Sequence, residues 1–281
     1  MAMNECCAKC LYNRQRARSE DPVFLAEVRK IIDCSGEHDP SPLLVYRFNQ
    51  VFQRLFGPVA SYTAVKKQYN DLVLSMEDSV RKIITSSADP LSTALAYARI
   101  GNYIDFGAMN HVDEAEFLSL FDTVSMSEND QAVFRSLLAE LKSARSFLLL
   151  ADNCGEIVLD KLFIEQLKRQ FPSLHVSVMV RGAEALNDVT VEDAAYVGID
   201  RVAEIVSNGQ PIAGTMYEML PEKAKAVFDS ADVILSKGQG NYETLNGRGH
   251  HIFYAFLCKC ALFTDRFNVP KLTGLFIEEG R

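Results

Sequence analysis

The feature that most restricts the fold of this chain is a change of hydrophobic period near residue 145. Before it, apolar residues recur at helical spacing, as in Phe24, Val28, Ile31 and Ile32, then Leu43, Leu44, Phe48, Val51, Phe52 and Leu55. Helical spacing resumes over 60–84, 91–101 and 127–144, with breakers such as Asp39-Pro40-Ser41-Pro42 and Gly57-Pro58 in between. After residue 145 the pattern becomes short apolar runs at 146–151, 175–180, 201–206, 232–235 and 271–277. Helix-like stretches at 156–170, about 190–197, 213–229 and 243–263 separate them. Strands alternating with helices predict a parallel sheet, and runs that are apolar throughout predict strands covered on both faces. The expected architecture is α/β: a mostly helical domain over 1–145 packed on a Rossmann-like, parallel-sheet domain over 146–281.

Composition narrows the partners. Lys and Arg number 29 against 37 Asp and Glu, a net charge of −8, so a nucleic-acid partner is not expected, because neutralising phosphates needs a basic face. No apolar run reaches the roughly 18 residues of a membrane span, and the N-terminal stretch shows no signal-peptide core. A cytoplasmic protein with no membrane partner is expected. Seven cysteines, an odd number and unevenly placed, point to reduced thiols or metal ligation rather than a disulfide scaffold.

In an open parallel sheet, ligands bind beyond the carboxyl ends of the strands. Four consecutive expected strands end there in polar residues: Asp152-Asn153, Arg181, Ser207-Asn208 and Lys237, with Asn187-Asp188 in the loop after the second. Asp152, Asn153 and Asp188 offer two carboxylates and an amide carbonyl, the hard oxygen ligands that Mg²⁺ or Mn²⁺ prefers. Lys237 is a point charge suited to a phosphoryl oxygen. Gly155, Gly182, Gly209 and Gly238 follow these polar ends, and the amides of Gly155-Glu156 open a helix where an anion can sit. Asn241 and Glu243, just after Lys237, are expected to line the site.

At these residues the pattern stops being generic. Asp152-Asn153-Cys154-Gly155-Glu156 with Asp160, Arg181-Gly182 followed by Asn187-Asp188-Val189-Thr190, and Lys237-Gly238-Gln239 with Asn241-Tyr242-Glu243 resemble three motifs of the damage-control phosphatase family, formerly a DUF89-like family of unknown function. Gly101-Asn102 with Asp105-Phe106 matches a fourth segment, in the helical half. The early Cys7-x-x-Cys10 is similar to the smaller, prokaryotic-type branch. The resemblance implies a metal-dependent phosphatase of small phosphorylated metabolites: sugar phosphates, phosphopantetheine-type molecules or damaged phosphometabolites. It puts the metal ligands on Asp152, Asn153 and Asp188 and a phosphate contact on Lys237. Asn102 and Asp105 then come from the helical domain and close over the site.

The expected catalytic set is therefore Asp152, Asp188 and Lys237. The substrate- or phosphate-binding set is Asn102, Asp105, Gly155, Glu156, Arg181, Asn187, Ser207, Lys237, Asn241 and Glu243. Asp152 either activates a water or attacks phosphorus itself; the sequence leaves both routes open. The donor set does not separate Mg²⁺, Mn²⁺, Co²⁺ and Ni²⁺. Cys7 and Cys10 supply half of a structural zinc site, which Cys260, on an expected helix, could complete; buried inert thiols are the alternative. His250-His251 is expected at a helix start or substrate contact rather than on a metal. Three rival functions fit less well. A Rossmann-type methyltransferase wants Gly-x-Gly-x-x-Gly after the first strand, a haloacid-dehalogenase-type phosphatase wants Asp-x-Asp there, and a non-catalytic metal- or metabolite-binding module does not need so many polar strand ends.

Overall fold

The structure is a computed structural model and describes residues 5–36, 39–104, 114–121 and 124–280. The first half is helical: α1 (Glu5–Arg18), α2 (Pro22–Asp33), α3 (Ser41–Phe56), α4 (Thr63–Ser86), α5 (Pro90–Gly101), α6 (Glu114–Leu120) and α7 (Glu128–Leu141). Local chemistry sets the helix starts. The Asp21 carboxylate accepts from the Phe24 amide at 2.8 Å, with Pro22 in the first turn. Asp89 caps Ser92 at 3.0 Å ahead of Pro90, and Ser127 with Asp130 forms a reciprocal capping box.

The second half alternates β1 (Ser146–Leu150), α8 (Glu156–Gln170), β2 (His175–Val180), α9 (Val191–Tyr196), β3 (Glu204–Ser207), α10 (Glu222–Ser230), β4 (Val233–Lys237), α11 (Gln239–Leu245), β5 (Ile252–Leu257), α12 (Ala261–Phe267) and β6 (Gly274–Glu279). The sheet order is β3-β2-β1-β4-β5-β6. The first five strands run parallel, and β6 returns antiparallel beside β5. The order reverses direction at β1, so β1 and β4 flank the switch point where ligands bind in doubly wound sheets.

The structure departs from the expected helix over 243–263. Ile252-Phe-Tyr-Ala-Phe-Leu257 is a fully buried central strand, with α11 before it and α12 after. A continuous apolar run has no periodicity to separate a buried strand from a buried helix; its aromatic richness and the preceding Gly247 and Gly249 favour the strand. The expected helix over 213–229 is likewise shorter, a single 3₁₀ turn at 217–219 followed by α10.

One core joins the two halves. Val73, Val80, Ile84, Leu95, Ala98, Leu137 and Leu141 pack into the same cluster as Phe147, Leu149, Ile157, Phe163, Val178, Leu235 and Phe253. Helix α8 is buried along most of its length between the sheet and α4 and α5. A second cluster covers the other face of the sheet around Leu148, Phe228, Tyr242, Tyr254 and Phe256, and α1–α3 carry a smaller core of their own around Phe24, Leu44 and Phe48.

A buried ion pair fastens the helices to the sheet edge. The Arg99 guanidinium donates to Asp130 at 2.8 Å and to the Ser125 carbonyl at 2.7 Å, while the Asp130 carboxylate also accepts from the Phe276 amide at 3.1 Å. Removing one partner leaves a buried charge uncompensated. Asp130→Ala, which also loses the capping box, is expected to lower unfolding free energy by about 3–5 kcal/mol. Urea denaturation followed by far-ultraviolet circular dichroism measures this; an unchanged midpoint would show the pair to be inert.

Candidate active site

The site is built on the turn that leaves β1. Its strand hydrogen bonding continues past Leu150, and Asp152 and Asn153 then meet the 185–190 segment: the Val189 amide donates to the Asp152 carbonyl at 2.8 Å and the Cys154 amide to the Asn187 carbonyl at 2.9 Å. An isolated antiparallel bridge pairs Asn153 with Asp188. Backbone pairing thus brings Asp152, Asn153 and Asp188 together, and all three are buried.

Arg181, at the end of β2, lies between the two carboxylates. Its Nε donates to Asp188 at 2.6 Å and one terminal nitrogen to Asp152 at 3.3 Å. The other terminal nitrogen reaches the Asn241 carbonyl oxygen at 3.1 Å and the Thr215 hydroxyl at 3.3 Å. Asn241 in turn donates to the carbonyls of Ala151 and Lys237, fixing the ends of β1 and β4 to each other. Gly238 has φ +80°, and a Cβ there would lie 1.9 Å from Oδ2 of Asp152. Only glycine permits the β4 turn to press so closely on that carboxylate.

A second layer supports the first. Oδ2 of Asp152 accepts from Asn102 at 2.9 Å and from Asn153 at 2.6 Å. The same two amide groups donate to Oε2 of Glu156, each at 3.1 Å. The other oxygen of Glu156 accepts from Lys237 at 2.7 Å, and Lys237 also donates to Asp160 at 2.6 Å and to the Ala98 carbonyl at 2.9 Å. Lys237, Glu156 and Asp160 are fully buried. Burial pushes the Asp160 carboxyl up to about 7, against the pull of Lys237, and its Oδ2 has no hydrogen-bond partner. Asp160 and Glu156 hold Lys237 charged against the opposing effect of burial.

The expected site residues are therefore placed in different ways. Asp152, Asn153, Asp188, Arg181 and Asn241 converge. Lys237 spends its three donors inside the protein, on the two carboxylates of α8 and the Ala98 carbonyl of α5, so as placed it offers none to a phosphoryl group. Asn102 caps α5 and braces Asp152, its carbonyl oxygen accepting from the Leu257 amide at 3.1 Å. Gly155, with φ +83°, donates its amide to Asn70 at 2.6 Å and so turns from the site, and Asn187 donates to the Ile104 carbonyl at 2.9 Å. Ser207 is exposed, and its hydroxyl accepts from the Gly209 amide. Asp105 lies outside the described residues.

Glu243 faces the cysteines instead. It accepts from Gln239 at 3.1 Å, Gln239 donates to the Cys260 thiol at 3.4 Å, and Glu243, Cys10 and Cys260 all act electrostatically on Cys7. Burial, with these neighbours, pushes the Cys7 thiol up to about 11. Cys260 sits at the start of α12 and not within a helix, because β5 displaces the expected one. His250 packs tilted against Tyr217 and edge-on against Phe228, and His251 precedes β5; neither opens a helix.

Two further residues support the site: Asn208, which the sequence marks only as part of a polar strand end, and Thr215, which sequence reasoning missed. Asn208 is wholly buried and its side-chain oxygen accepts from the amides of Gly182 and Gln210 at 3.0 and 2.9 Å. It directly follows Ser207, which ends β3. Thr215 sits in an irregular loop and donates to Asn241 at 2.9 Å; no periodicity or motif marks it.

The fold and site define a doubly wound α/β protein with an acidic, oxygen-donor centre at its topological switch point. The chain belongs to the family described as the damage-control phosphatase ARMT1-like domain, whose model matches residues 3–273. It is 28% identical over 272 residues to a damage-control phosphatase of Archaeoglobus fulgidus, covering 92% of this chain and 93% of that one. To a damage-control phosphatase of Pyrococcus horikoshii it is 31% identical over 182 residues, 63% of this chain and 61% of that one. The crystal structure of that Pyrococcus protein, described as a DUF89 family protein, superposes with a TM-score of 0.78 at 23% identity over 99% of both chains, which establishes the shared fold. No helix of the described residues is long and apolar enough to cross a membrane.

The placement of Lys237 generates a test. Lys237→Met is expected to cost about 3–5 kcal/mol by leaving Glu156 and Asp160 buried without their cation, and adding Asp160→Asn is expected to recover part of that loss. A thermal or urea unfolding cycle over the two single variants and the double variant reads the coupling. Full stability in Lys237→Met alone would contradict the structural role.

Proposed function

We propose that the protein is a metal-dependent phosphatase that hydrolyses phosphomonoesters of small metabolites, including damaged ones. The observation that carries this reading is the convergence of Asp152, Asn153 and Asp188 beside Arg181 at the carboxyl ends of β1 and β2. The donor chemistry fits a divalent cation. Asn153 commits its NH₂ end to Asp152 and Glu156, which leaves Oδ1 as the end available to a cation. The two buried carboxylates both pair with the Arg181 guanidinium. Asp152, Asn153 Oδ1 and Asp188 would hold the ion. When bound, a Mg²⁺, Mn²⁺, Co²⁺ or Ni²⁺ ion supplies Lewis-acid polarisation of the phosphoryl group and an acidified water.

The chain's own residues supply the remaining parts. Asn102 and Asn153 fix the Asp152 carboxylate by donating to Oδ2, which points it as a base for a water or as a nucleophile. Arg181 carries positive charge beside both acids, where negative charge builds on the phosphoryl oxygens. Glu156 and Lys237 keep the two amide side chains oriented and do not touch the substrate. Sugar phosphates and pantetheine-type phosphates are the substrate classes that the family reading suggests.

The test is to strip the protein with chelator and assay p-nitrophenyl phosphate and a panel of sugar and pantetheine phosphates, restoring one divalent ion at a time. Activity is expected to return with added metal and to fall on the order of 10³-fold or more in Asp152→Ala and Asp188→Ala. Folded Asp152→Ala with near-native turnover would refute the assignment. Metal binding by folded wild-type protein without turnover of any substrate would favour a binding module. Gly238→Ala, which drives a methyl group into the Asp152 carboxylate, is expected to lower kcat by at least about 100-fold, the scale of losing one oriented electrostatic group. Comparing its kcat with wild type under restored metal checks this.

A further inference from the structure

The parallel strands have a second edge, opposite the candidate active site, and His251 lies there just before β5. Its Nδ1 is 2.8 Å from the Glu279 backbone carbonyl oxygen. A carbonyl only accepts, so Nδ1 carries a proton and Nε2 is left facing outward. That nitrogen lies 2.6 Å from Oε1 of Glu140 and 4.0 Å from Oε1 of Glu278. A bare lone pair on Nε2 would stand against carboxylate oxygens, so a positive centre belongs between the three groups: a proton, or a metal ion in its place.

We propose that Glu140, His251 and Glu278 form a second metal site, for a zinc-class divalent transition ion, that joins α7 to the β5–β6 edge. Their ligand atoms lie within 4.8 Å of one another. Zinc–nitrogen and zinc–oxygen bonds of about 2.0–2.2 Å place tetrahedral ligand atoms roughly 3.3 Å apart. Glu140 would withdraw, and Glu278 approach, by less than about 1 Å each to reach that geometry. One imidazole with two carboxylates, and water completing the shell, suits zinc. A backbone carbonyl on the far ring nitrogen is how metal-ligating histidines are held in orientation.

The surroundings agree with a site open to an ion. The side chains of His251, Glu140 and Glu278 are 17%, 32% and 30% exposed, enough for an ion and its water to enter. The Glu279 carboxylate is turned away, accepting from the Gly247 amide at 2.7 Å and the Tyr254 hydroxyl at 2.9 Å. The Phe253 ring lies edge-on to the imidazole at 5.4 Å and covers its inner side. No residue is shared with the Asp152 centre, which lies roughly 17 Å away along the strands at about 3.3 Å per residue. The cysteines contribute nothing to this cluster.

Zinc titration of the chelator-stripped, full-length protein at pH 7.5 tests this, with wild type, His251→Gln and Glu278→Gln compared side by side. Cysteines and the Asp152 centre are common to all three, so differences report this cluster alone. Both variants are expected to bind one equivalent fewer, with affinity at that site weakened on the order of 100-fold or more. They are also expected to lose the matching part of the zinc-induced rise in Tm. Wild-type affinity for that equivalent should fall about tenfold per pH unit once protons compete for Nε2. Glu278→Gln removes a ligand at little cost to the fold, because in the absence of metal that carboxylate is only loosely paired with His251. An unchanged zinc stoichiometry and an unchanged Tm shift in Glu278→Gln would overturn the site, and retention of the equivalent in folded His251→Gln would do the same.

Discussion

The pairing of Lys237 with Glu156 is the interaction on which the rest of the centre depends. A lysine at the end of β4 is taken wholly out of water, which is costly unless its charge and all three protons are matched. The first turns of α8 provide two carboxylates and α5 a carbonyl, so three elements are fixed around one ammonium. Glu156, held by Lys237 on one oxygen, uses the other to orient Asn102 and Asn153. Those amides then set Asp152. The acid at the centre is aimed by a chain of polar contacts that ends in a wholly buried ammonium.

This arrangement also explains why the helical half and the sheet share a core. Gly101 allows α5 to approach α8 so closely that a Cβ would lie 2.9 Å from the Glu156 Cα. Asn102, one residue later, consequently reaches both Asp152 and the backbone of β5. The helical region contributes a structural member to the centre, and Arg99, on the same helix, fixes α5 to α7 at the sheet edge.

Much of this was legible in the sequence, for identifiable reasons. A strand covered on both faces is mostly apolar, so its end is marked by the polar residues that follow the run; Asp152, Arg181 and Lys237 are legible in that way. Which way a side chain turns after that point is not written in the chain. Lys237 turns inward because two acids on a different helix await it, and Ser207 turns outward while Asn208 is buried. Ile252–Leu257 hid as a helix because a wholly buried strand loses the alternation that identifies strands. His251 and Glu140 are 111 residues apart, and only the folded sheet makes them neighbours.

The contact between Gly238 and Asp152 has a consequence for how such a protein can diversify. The floor of the centre is crowded at this contact: a Cβ on Gly238 would overlap the Asp152 carboxylate, which leaves no volume there for a larger side chain. Mutation there alters whether the centre works, and has little room to alter what it works on. Under the proposed function, substrate preference is therefore more easily altered at residues away from this packed contact than at Gly238 or at the acids themselves.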